Sequence, residues 1–203
     1  LNRTEPDVFL CFAAAVRICS ATTPDEARAL AERRGVTHIV LPSWDAFMDE
    51  YARLGSDDES HTLVALLHRW LPPRWLRPVA YQLPQIPGFE HQSVAVFEVT
   101  ELQSDATALC RLAAYFAETG QLDLAAAAGR ALASSFPDEM DALVARAQVA
   151  MACGERAEFD GLMKVVDQQV VDGAGGALPW DRRVELAVLL AEGRRFDAAR
   201  EQV

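Results

Sequence analysis

"AAYFAETGQLDLAAAAGRALASSFP", Ala113 to Pro137, consists mostly of small apolar residues arranged around a glycine. It carries few side chains able to do chemistry. Leu109, Leu112 and Phe116 precede Gly120 at helical spacing, and Ala125 follows it by five residues. This predicts two antiparallel helices joined at Gly120, with alanines at the crossing points so that the helices approach closely. One such hairpin cannot bury its apolar faces alone. It needs a second stacked beside it.

A second copy follows. Gly154 stands 34 residues after Gly120, with Leu143 and Ala147 upstream and Phe159 and Val166 downstream in matching places. A looser third copy centres on Gly193, with Leu186, Leu189 and Ala198 in register. Its offset from Gly154 is 39 residues, because "DGAGGALPW" is inserted. No strand signal occurs after residue 103. The pattern resembles the tetratricopeptide repeat, in which a small residue, an aromatic, glycine, alanine and proline recur at fixed steps. The departures are specific. Gly129 stands where the aromatic is usual, and Phe159 stands where alanine is usual. The second copy has no terminal proline, and the third is a fragment of the pattern. The resemblance covers about half the chain and implies an all-α helical hairpin array over 104–203.

In such an array the inner wall is where a partner binds. The first helix of each hairpin would project Thr107, Cys110, Ala114 and Glu118, then Asp141, Val144 and Gln148, then Trp180 and Arg183. The expected partner-binding residues are Glu118, Asp141, Gln148, Trp180 and Arg183. A Trp–Arg pair is the type of anchor that interfaces favour.

The first half, 1–103, is punctuated differently and predicts a small α/β domain. In "ATTPDEARALAERRG", Thr23 is an N-cap, Pro24 takes the first helical position, and Glu26 completes a capping box. Ala27, Leu30 and Ala31 form one apolar face, and Gly35 ends the helix. "VTHIVLP" reads as a buried strand and "VRICS" as its partner before the helix, which together imply a parallel βαβ pair. Two helices are expected next, one lined by Phe47, Met48, Tyr51 and Leu54. The other is lined by Leu63, Val64, Leu67, Trp70 and Leu71, and is broken at Pro72 and Pro73. "VAYQLPQ" and "SVAVFEVT" add two strands across a turn at Pro87 and Gly88. The expected fold is therefore a small α/β unit with a partly parallel sheet of about four strands, followed by the helical array.

"TPDEARALAERRGVTHIVLPSW" with "LPPRWLRPVAYQLP" and "GFEHQSVAVFEV" resembles the extramembrane C-terminal region of bacterial polytopic membrane proteins related to GT-C-type glycosyltransferases. In those proteins the catalytic acids lie in loops between membrane helices. No position here corresponds to one, so the resemblance carries over no catalytic residue. It implies a domain on the periplasmic side, beside a membrane-embedded part of the same polypeptide.

Several chemistries find no support. The net charge of −11 argues against nucleic acid and anionic lipid, which need a basic face. The run Val8 to Val16 is too short to span a bilayer and lacks a signal-peptide cleavage pattern. The chain begins at Leu1, with its first methionine at Met48, which suggests a piece of a longer or processed protein. Cys11, Cys19, Cys110 and Cys153 have no metal-binding spacing and read as small apolar residues. His61 and His68 are expected to share a helix face, with Asp57, Asp58 and Glu59 upstream, as a solvated face rather than a metal site. His38, Ser43 and Asp45 lie near a strand end, but no nucleophile elbow accompanies them. Ser43 reads as a helix cap and His38 as a sheet histidine facing away from Thr37 and Ile39. "DGAGGALPW" follows a helix, so it reads as an inter-repeat loop rather than a dinucleotide loop. The acids of Asp138 to Asp141 and Glu155 to Asp160 suit helix starts.

The functional expectation is a non-catalytic interaction or scaffold module with a protein partner, without cofactor or metal. The alternative is a small ligand-binding or enzymatic α/β domain using the C-terminal edge of its sheet, near Pro42 to Asp45.

Overall fold

The computed structural model describes residues 5–44, 46–81, 83, 84, 86–88, 90–171, 184, 187–189 and 191. The chain divides into two compact units, Leu1–Gln103 and Ser104–Val203. The described part is mostly helical with a small sheet, an α+β arrangement.

The first unit begins with α1 (Glu5–Ser20) and α2 (Pro24–Arg33). The start of α2 follows its sequence signals. Thr23 Oγ1 accepts from Glu26 N at 3.3 Å, and Ala27, Leu30 and Ala31 are buried. Its end is a Schellman closure, with Gly35 at φ +62 and Val36 N donating to Ala31 O at 3.0 Å. β1 (His38–Pro42), α3 (Phe47–Gly55), a 3-10 turn (Glu59–His61), α4 (Leu63–His68), β2 (Leu76–Val79) and β3 (Val94–Val99) follow.

Several expectations fail here. "VRICS" is not a strand but the end of α1. Cys11, Ala14, Ala15, Ile18 and Cys19 recur at i, i+3, i+4, i+7 and i+8, a helix stripe that outweighs the β-branched Val16 and Ile18. Among the described residues no strand precedes α2, so there is no parallel pair. The sheet has three strands in the order β1-β3-β2, and both pairings are antiparallel. "VAYQLPQ" is also displaced, because β2 takes up Leu76–Val79 and so contains Pro78. Pro78 is tolerated because its ring nitrogen faces off the sheet. Thr100 N donates to Trp75 O at 2.8 Å, so the alternation makes Arg77 and Val79 the positions that bond β3, and Pro78 falls between them.

Ile39, Leu41, Leu76 and Phe97 turn to one face of the sheet and join Ala27, Ala31, Leu63, Val64, Leu67 and Trp75 in a single core. Trp75 Nε1 donates to Pro24 O at 3.1 Å, tying the sheet to the start of α2. The apolar face expected for α3 is only half covered: Met48 and Tyr51 pack on the core, whereas Phe47 and Leu54 are exposed. α4 ends at His68, and Trp70 takes a left-handed φ of 55 with its ring against Phe97.

The second unit contains α5 (Asp105–Glu118), α6 (Leu122–Ser135), α7 (Met140–Ala152) and α8 (Arg156–Val171). Between residues 105 and 171 every element is a helix. α5 pairs with α6, α7 pairs with α8, and α7 also packs on both α5 and α6. The turns of the two pairs are chemically identical. Gly120 (φ +72) is spanned by Gln121 N donating to Phe116 O at 2.9 Å, and Gly154 (φ +74) by Glu155 N donating to Ala150 O at 2.8 Å. α7 is buried on nearly all sides, through Ala142, Leu143, Val144, Ala145, Ala147, Val149 and Ala150. Gly129 admits α7 closely, since a Cβ there would meet Val149 Cγ1 at 3.4 Å. Of the third copy, Leu189 is described and buried. Leu186, Gly193 and Ala198 lie outside the described residues, as does "DGAGGALPW".

Gly120→Ala and Gly154→Ala should each lower the unfolding free energy by about 1 kcal/mol, because an L side chain is strained in that conformation. Gly55→Ala should cost about 1–3 kcal/mol for a different reason: its Cβ would overlap Ser20 Oγ and Cβ at the α1–α3 contact. Urea unfolding of the three variants checks both values.

Candidate functional site

α5 and α7 are the first helices of consecutive hairpins and lie side by side. Ser104 fixes the start of α5, with Thr107 N donating to Ser104 Oγ at 3.0 Å, and the glycine turns fix the ends of both helices. Near those ends the two helices wall a cavity of about 300 Å³. α5 contributes Ala114, Ala117 and Glu118, and α7 contributes Gln148, Met151 and Ala152. These are equivalent positions, six, three and two residues before the turn glycine in each repeat. The same surface is thus presented twice, with the polar group at a different position each time. Glu118 comes from the first repeat and Gln148 from the second. Val184, Val188 and Leu189 close another side of the cavity. Leu189 is 1% exposed and belongs to the cluster of Leu143, Val144, Phe159 and Val166.

The structure therefore brings Glu118 and Gln148 to one cavity. Asp141 is half-buried in the first turn of α7 and does not line it. Trp180 and Arg183 lie outside the described residues. Cys110 and Val144, expected on the wall, are instead fully buried between helices. The small size of the α5 and α7 side chains draws the helices together and turns those positions inward. Ala117, Met151 and Ala152 were not expected as wall residues. Counting back from the turn glycine in both repeats would have found them.

In the first unit several charged residues pair with one another. His61 and His68 do not share a helix face, because Thr62 ends the 3-10 turn and caps α4 between them. His61 Nδ1 lies 2.7 Å from Asp58 Oδ2, and His68 Nε2 lies 3.0 Å from Asp49 Oδ1. The Ser60 hydroxyl and then His61 hold the Asp58 carboxyl below its ordinary range. A cavity of about 340 Å³ beside α3 and α4 includes His68, Asp49, Arg53 and Glu59. There Arg53 bonds Glu50 at 2.7 Å and Glu59 at 3.3 Å, so the charges are spent on local structure. Glu59 and then Glu50 push the Arg53 guanidinium up.

Ser43 is not a helix cap. Its N donates to Ser93 O and its Oγ accepts from Ser93 N, both at 2.9 Å, which extends the β1–β3 closure. The cap position of α3 is Ala46. His38 is exposed and faces away from Ile39, with Nδ1 at 3.1 Å from its neighbour Thr37 Oγ1. Asp45 lies outside the described residues.

Among the described residues, no three His, Cys, Asp or Glu side chains are grouped to hold a metal ion. No helix of the described residues is long and apolar enough to cross a membrane. No protein-family model matches the chain, and no curated protein or solved structure matches it either.

The four thiols differ sharply in environment. Cys11 is exposed and Cys153 half-buried, whereas Cys19 and Cys110 are buried. Burial pushes the Cys19 thiol up from 9.0 to about 12, so it stays protonated and unreactive at neutral pH. Native protein at pH 8 should alkylate first at Cys11, with Cys19 and Cys110 modified only after denaturation. Peptide mapping after brief iodoacetamide exposure reads this order.

Proposed function

We propose that this chain is a non-catalytic contact module, in which a tetratricopeptide-like hairpin array binds a protein partner along the α5–α7 wall. The supporting observation is the duplicated wall itself: three equivalent positions from each hairpin around one cavity, Glu118 and Gln148 among them. A repeated apolar surface carrying a few placed polar groups suits recognition of a peptide segment better than turnover. A carboxylate and an amide there would orient a segment bearing a basic or amide side chain. The resemblance carried by "DEARAL" and "GVTHIV" supports placing the chain as the C-terminal, periplasmic-side part of a bacterial membrane glycosyltransferase-like protein. In that setting its partners include the membrane-embedded part of the same polypeptide.

Site-specific photocrosslinking tests this. A benzophenone amino acid at position 118 or 148 should give a discrete adduct in native membranes. The same group at position 130, exposed on α6, should give none. Ala117→Trp, which fills the wall, should reduce the adduct at position 148 by about tenfold with little change in Tm. Equal labelling from positions 118 and 130, or no adduct from either wall position, contradicts the proposal.

A further inference from the structure

The sheet has two edges, and they are chemically unequal. On β2 the backbone groups of Leu76 and Pro78 point away from β3. Leu76 N donates to Pro73 O at 2.8 Å, Leu76 O accepts from Gln103 Nε2 at 3.3 Å, and Pro78 has no N–H. That edge is sealed against another strand.

β1 is the other edge. Val99 N donates to Thr37 O and Ser43 N to Ser93 O, which fixes the alternation along the pair. Ile39 and Leu41 therefore bond to β3, whereas the N–H and C=O groups of His38 and Val40 point away from it. Among the described residues no backbone group pairs with them.

Beside this open edge lies a cavity of about 480 Å³. α1 packs mainly on α2, α3 and α4, so it stands off β1 and forms the far wall of the cavity. The α1 wall is low and apolar, made by Cys11, Ala14, Ala15 and Ile18. Arg34 lines the cavity as well, and its Nη2 donates to Leu10 O at 3.2 Å, bridging α2 to α1. A guanidinium carries further N–H donors in a fork suited to a carboxylate. Arg34 and His38 set a basic end to the groove, at the start of β1.

From this we infer that the β1–α1 groove accepts an extended peptide as a fourth, antiparallel strand. Its backbone pairs with His38 and Val40, and its apolar side chains lie against α1. Its C-terminal carboxylate meets Arg34, because an antiparallel strand ends where β1 begins. Backbone pairing supplies the affinity and the Arg34 end fixes the register.

The test uses the full chain and two synthetic probes: acetylated TVTVTV with a free C-terminal carboxylate, and the same peptide amidated. Backbone amide NMR should show His38 and Val40 N–H shifting on addition of the acid peptide, with slowed exchange. Amidation, or Arg34→Gln, should weaken binding about tenfold. Val40→Pro removes an outward N–H that β3 does not use, so binding should fall at least tenfold while the Leu41 and Phe97 amides stay protected. Ala15→Leu, which narrows the groove from the α1 side, should have the same effect if Val40→Pro perturbs folding. Absence of shifts at His38 and Val40 with millimolar peptide overturns the inference. Equal affinity in all variants does so too, as does concentration-dependent dimerisation that protects the β1 edge.

Discussion

The second unit depends on the burial of α7. This helix has apolar or small residues around nearly its whole circumference, which in water would be unstable as an isolated helix. α5, α6 and α8 each cover part of it. Leu143, Val144 and Val149 are all buried, and burying one Val or Leu contributes roughly 1.5–3 kcal/mol. Because α5 and α7 carry alanines where they meet, their backbones come close and the wall beside Glu118 and Gln148 forms as a consequence. That wall is a by-product of how the core closes.

The first unit is governed by a different constraint. Its sheet has two edges, and hydrogen bonds close only the β2 edge among the described residues. α2 and α4 close the inner face, and Trp75, Phe97 and Leu76 fill it. Pro78 and Gln103 finish one edge. α1 is engaged by α3 and α2 and leaves the other edge uncovered. The sheet thus has three strands and room beside β1, where the sequence had suggested a strand.

That difference shows what could be read from the residues. The hairpin turns were legible because an αL position after a helix demands glycine, and Gly120 and Gly154 announce it at a fixed interval. The start of α2 was legible because Thr23, Pro24 and Glu26 each do one local job. α1 was not, because "VRICS" viewed alone is β-branched, and its helical stripe appears only when Cys11 and Ala14 are counted with it. Strand pairing was not legible either. Whether β1 runs parallel or antiparallel to its neighbour is decided by which strand reaches it, and β3 arrives from more than fifty residues away. At the wall, Glu118 and Gln148 followed from the repeat. The inward turn of Cys110 and Val144 depended on how closely α5 and α7 approach, a packing outcome that spacing does not encode.

If α7 is the shared core of both hairpins, α5 and α7 must open together. Native-state amide exchange measures this. The amides of Cys110 to Phe116 and of Leu143 to Ala150 should exchange with a common opening free energy, close to that of global unfolding of the second unit. Exchange from α5 at an opening energy more than about 2 kcal/mol below that of α7 would show that the hairpins are independent, and would contradict the account.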